Sequence, residues 1–93
     1  MTKKDWKLRD AKAGDVIQSE QITLLFKEFE DGNWNFVIAF AGIDISGRLQ
    51  VTDGHWLISN EARLATEEES NRLFELIVEQ GYHWDKECKK LTR

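Results

Sequence analysis

The side chains with the widest chemical repertoire in this chain are His55, His83 and Cys88, and their spacing does not gather them into a site. Zinc centres draw Cys and His from closely spaced pairs, and no such pair occurs here. A nucleophilic thiol needs positive charge and a base nearby, whereas Cys88 follows Glu87. There is no Gly-x-Ser-x-Gly elbow, no glycine-rich loop leading into a helix and no pair of histidines on one helical face. Of the carboxylates, Glu67, Glu68 and Glu69 are accounted for as charges at the positive end of a helix. The residue pattern therefore predicts no catalytic centre, no metal site and no cofactor, and the chain is read as a non-enzyme.

The aromatic residues point to binding instead. Four tryptophans are many for 93 residues, and Trp is frequent at contact surfaces. Trp34 and Phe29 fall near the end of an expected hairpin, flanked by Glu28, Glu30 and Asn35. That acidic aromatic tip is the first candidate binding surface, for another protein. Trp56 and Trp84 are expected in the core or at its rim, and as stacking platforms they define the alternative, a nucleotide-binding homo-oligomer.

Charge narrows the partners. The ends, residues 1–12 and 86–93, carry nine Lys and Arg against three acids, a net +6, while residues 13–85 carry four bases against fourteen acids, a net −10. Phosphate binding depends on Lys and Arg displacing counterions, so nucleic acid is not expected on the acidic body and is expected at most weakly, through the basic termini. Lys3 and Lys4 lead into Asp5 and Trp6 rather than an apolar run, and the longest apolar stretch, residues 36–41, is too short to span a bilayer. With one cysteine, unable to form an internal disulfide, a cytoplasmic setting without membrane contact is expected.

The elements that must position these residues read most clearly in 63–84. Thr66 followed by Glu69 is a capping box, which starts a helix over 66–80. Gly81 is a left-handed stop, with Tyr82 folding back onto Ile77. Ser70, Leu73, Phe74, Ile77 and Val78 share the expected core face, with Leu76 on its flank. Before the helix, residues 13–60 read as a β-meander: a strand over 16–19, a long hairpin over 22–41 turning at Asp31-Gly32, a second hairpin around 45–48 and a third turn at Asp53-Gly54 that sets Val51 opposite Trp56. Counting from Asp31-Gly32 pairs Phe29 with Trp34, Leu25 with Ile38 and Phe26 with Val37. After the helix, residues 82–91 form a hairpin turning over 85–88, with Trp84 against Lys89. Trp6 and Leu8 suggest a short extended edge in the basic segment 1–12. The expectation is one domain over 1–93 of the α+β class, a small antiparallel meander or partly open barrel of four to five strands with one amphipathic helix packed on it and a C-terminal strand or hairpin.

The run from Arg63 through Ala65-Thr66-Glu67-Glu68-Glu69 to Gly81-Tyr82-His83-Trp84-Asp85 resembles the tail of short proteins of unassigned function from Bacteroides-type gut bacteria and their phages and prophages. Residues 40–44 and 53–56 resemble their middle portion more loosely. The matched residues are helix caps and core aromatics, so the resemblance implies a shared fold and carries no site residue. It implies no activity, but a phage or mobile-element origin for the protein-binding module that the acidic aromatic surface suggests.

Overall fold

The computed structural model describes residues 10–30, 33–51, 54–58 and 62–93. The predicted edge at Trp6 and Leu8 and the turn residues Asp31 and Gly32 lie outside the described residues. β1 (Val16–Ser19) and β2 (Ile22–Glu30) form the first hairpin, and β2 continues into β3 (Asn33–Ile43). β4 (Leu49–Gln50) and β5 (Gly54–Leu57) follow, then the short β6 (Arg63–Leu64), α1 (Glu67–Glu79), β7 (His83–Asp85) and β8 (Lys90–Thr92). The six strands β1–β6 make one antiparallel sheet in the order β4-β3-β2-β1-β6, with β5 also on β3, and β7 and β8 make a second, two-stranded sheet. This is an α+β fold, with one α-helix among the described residues; the main sheet is not closed, and its strand number exceeds the four to five expected because β6 was not anticipated.

Local chemistry explains the ends of the elements. Asp44 turns the chain between β3 and β4: Oδ1 accepts from Ser46 Oγ at 2.6 Å and from the N–H groups of Ser46 and Arg48, Oδ2 accepts from Gln50 Nε2 at 3.0 Å, and Gly47 takes φ +90°. Those donors, the Ser46 hydroxyl foremost, hold the Asp44 carboxyl down at about 2. At the helix start the Glu69 N–H donates to Thr66 Oγ1 while Glu69 Oε1 accepts from the Thr66 N–H at 2.8 Å, the predicted capping box. At its end the Tyr82 N–H reaches Ile77 O and the Gly81 N–H reaches Val78 O, with Gly81 at φ +88°, which is a Schellman ending.

The registers depart from the count made from the turn. Glu30 pairs with Asn33 as expected, but the next pairs are Phe29 with Val37 and Glu28 with Ile38, so residues 34–36 of β3 have no opposite number on β2. Lys27 on β2 and Phe40 on β3 are each skipped by the ladder, which then runs Leu25 with Ala41 and Thr23 with Ile43. Each such bulge turns the following side chains to the other face. Thus Phe29, expected opposite in facing to Phe26, lies beside it edge-on at 4.9 Å. The third expected turn is also corrected. Gly54 pairs with Ala39 and Trp56 with Val37, so β5 carries on along the same edge of β3 that β4 began, and Val51 does not come opposite Trp56. The final hairpin keeps its facing but shifts by two: Trp84 pairs with Leu91, and the loop comprises residues 86–89, because Asp85 Oδ1 accepts from the Glu87 and Cys88 N–H groups and so stays at the end of β7.

The sheet separates two apolar clusters. On one face Ile17, Leu24, Phe26, Val37 and Ala39 are sealed by Ile58, just after β5, and Ala62, just before β6. On the other, Leu25, Ala41 and Ile43 meet Leu73 and Ile77 of α1. Gly42 is a necessary gap between the strands and Trp56: a Cβ there would lie 2.6 Å from Leu24 and 2.8 Å from the Trp56 ring.

Candidate functional site

Where α1, the entry to β1 and the C-terminal hairpin meet, the apolar cover of the sheet is incomplete. Of the apolar stripe expected on α1, Leu73 and Ile77 are buried, Phe74 and Leu76 are half-buried, and Val78 is 68% exposed. The stripe is wider than the surface it covers. With about 100° between successive helical residues, centring Leu73 and Ile77 on the sheet rotates Val78 out to the flank. The sequence expectation that Val78 belongs to the core is therefore corrected by the helix's rotational setting.

Beside that flank lies a groove of about 520 Å³, bounded by Phe74, Ile77 and Val78 on the helix side and by Val16 at the β1 entry. Its opposite wall is the hairpin, which contributes His83, Trp84, Lys86 and Lys89. The volume falls in the range of clefts that hold small molecules. Each wall is held in place by identifiable contacts. Trp84 packs on Phe40 with ring centroids 4.9 Å apart, and Lys27 Nζ lies 5.5 Å from the centre of the Phe40 ring, so the bulged residue of β3 carries the hairpin's tryptophan and that of β2 packs on the bulged residue of β3. Lys89 adopts φ +54°, and its side chain lies over Gly14, where a Cβ would come within 3.3 Å of it. Asp85, which shapes the loop, has its carboxyl pKa lowered first by the Cys88 N–H. The start of the helix is tied to β6 by a two-pronged ion pair, Arg63 Nη1 to Glu69 Oε1 and Nη2 to Oε2, both at 2.9 Å. The Arg63 guanidinium is the main reason that the Glu69 carboxyl falls to about 2.

The residues singled out by sequence are dispersed relative to this groove. Phe29 is half-buried against the Leu24 and Phe26 cluster, and Glu28 is exposed. Glu30 accepts from His55 Nε2 at 2.7 Å across the sheet, with the His55 ring stacked on Phe36. Trp34 and Asn35 belong to β3 by their backbone, and their side chains lie outside the described residues. Trp56 packs against one face of the sheet and Trp84 against the other, so no single small ligand stacks on both. Among the described residues no three His, Cys, Asp or Glu side chains stand together in a metal-binding arrangement, and no helix is long and apolar enough to cross a membrane. Cys88 is an exposed thiol in the β7–β8 loop.

Sequence reasoning did not single out Phe74 and Val78, or Lys86 and Lys89, as neighbours in one site. An unusually wide apolar stripe on α1 was the available signal. No protein-family model, curated protein or solved structure matches the chain.

Proposed function

We propose that this chain is a non-enzymatic protein-binding module whose contact site is the groove between α1 and the C-terminal hairpin. The observation that carries the reading is Val78, a large apolar residue left exposed beside half-buried Phe74 and Trp84, with a wall opposite it. An apolar side chain of a partner placed there would be enclosed from two sides, which is how anchor residues are held at protein interfaces. Phe29 and Glu30, from the hairpin tip, are already engaged within the fold, which favours the groove over the tip.

The test compares three immobilised forms of the protein as bait against a host lysate: the natural chain, Val78→Asp and Trp34→Ala. The partner retained by the natural chain is expected to be lost with Val78→Asp, at an unchanged melting temperature, and kept with Trp34→Ala. Equal capture by Val78→Asp would move the contact site away from the groove.

A second reading is favoured by the groove's size and by Trp84 in its wall: a small ligand, such as a nucleotide, stacked on that ring. Nucleotide addition would then raise the melting temperature of the natural chain and quench its tryptophan fluorescence, and Trp84→Phe would remove the quenching.

A further inference from the structure

The charges around the groove are sorted by side. On the hairpin wall stand Lys86 and Lys89, neither with an ion-pair partner among the described residues, and His83. On the helix side, beyond Val78, the surface turns acidic with Glu75 and Glu79. The last turn of α1 carries no basic residue of its own to offset the partial negative charge of the helix C-terminus. Apolar Phe74 and Val78 thus lie between the two lysines that line the hairpin wall, a hairpin that also carries Asp85 and Glu87, and the glutamates of the helix outside the groove. A uniformly acidic occupant would be repelled by the helix, and a uniformly basic one by the lysines.

Resting on the protein-binding reading, we propose that the groove's occupant is a charge-polarised peptide segment: a large apolar residue seated between Val78 and Trp84, acidic neighbours on one side of it set against Lys86 and Lys89, and basic neighbours on the other set against Glu75, Glu79 and the helix end. Polarity of this kind gives orientation as well as affinity, because reversing the segment in the groove brings like charges together.

The test uses fluorescein-labelled synthetic peptides and fluorescence anisotropy on the full chain. The probe is Ser-Asp-Asp-Leu-Phe-Lys-Lys-Ser; the controls replace its Asp and Lys by Asn and Gln, or its Leu and Phe by Ser. The probe is expected to saturate and both controls to bind at least about tenfold more weakly, with the charge-dependent part lost in high salt. Lys86→Glu together with Lys89→Glu, both at exposed loop positions, is expected to weaken the probe about tenfold. A peptide in which the two Asp are changed to Lys should recover that loss on the doubly substituted protein. The proposal is overturned if the probe fails to saturate up to about 1 mM, if the neutral control binds equally, or if charge reversal neither weakens the probe nor shifts preference to the all-Lys peptide. The two readings fail separately. Loss of lysate partner by Val78→Asp combined with no binding of the probe leaves the groove as the contact site and removes only its charge preference.

Discussion

One face of the sheet is closed by Ile58 and Ala62 and the other by a helix and a hairpin, and the two covers differ in fit. On the first face Ile58 and Ala62 complete a cluster in which Ile17, Leu24, Val37 and Ala39 are fully buried. On the second, Leu73 and Ile77 are fully buried, yet the flank of α1 leaves Val78 exposed and a groove between helix and hairpin. A helix is a cylinder laid on a twisted surface, so it buries a line of side chains and leaves its shoulders to be filled by neighbours. Here one shoulder is filled on only one side. The contrast teaches that the binding surface of a small domain can arise from imperfect coverage by an otherwise well-formed helix.

Truncation within the sealed face should produce the largest effect. Phe26→Ala is expected to cost about 4 kcal/mol in urea-induced unfolding, since it removes a buried ring and its edge contact to Phe29. Val78→Ala, on the groove side, is expected to cost under about 0.5 kcal/mol. Comparable costs at the two sites would abolish the distinction between the faces.

Next in size is Gly42→Ala. A Cβ there would press Leu24 and the Trp56 ring, and about 2 kcal/mol of destabilisation is expected from overpacking. Pairing it with Trp56→Phe, which shortens the offending ring, should recover part of that loss; two independent, additive costs would show that Trp56 does not lie over Gly42.

Thr66→Ala should cost about 1 kcal/mol by releasing the Glu69 N–H, measured by thermal unfolding. A change of only a few tenths would mean that α1 is held by its sheet contacts rather than by its cap.

The smallest expected effect is pH-dependent. The Glu69 carboxyl sits at about 2 instead of 4.5, chiefly because of Arg63, so its contribution is fully present above pH 4.5 and is lost as the pH falls through about 2. Arg63 stays charged throughout this range. Over that window the melting temperature of the natural chain is expected to fall more than that of Glu69→Gln, while Asp44 and Asp85 contribute equally to both. Identical acid profiles would show that the ion pair does not couple to folding.

Much of the helix was legible because its determinants are local. Thr66 and Glu69 bond to each other's backbone three residues apart, and Gly81 supplies a left-handed conformation that closes the last turn, so residue types and spacing suffice. The hairpin around 45–48 and the direction in which Trp84 and Leu91 face were legible for the same reason, but not the part of Asp44 in holding that turn. The long hairpin was legible only near its turn. Its register beyond residue 33 depends on which bulges let Phe26 and Phe29 share one cluster while Phe40 carries Trp84, a question of packing between distant segments.

The amino-acid sequence by itself determined the α+β class, the limits and caps of α1 and the segregation of charge, because these follow from periodicity, short-range hydrogen bonding and composition. Only the tertiary structure decided that β5 continues along the β4 edge of β3, that β6 joins β1 at the far side, and that α1 is rotated to expose Val78 opposite Trp84. Those outcomes depend on how two apolar clusters are filled at once. No single segment contains the shape of its partner, so the site between α1 and the hairpin exists only once both have been set against the sheet.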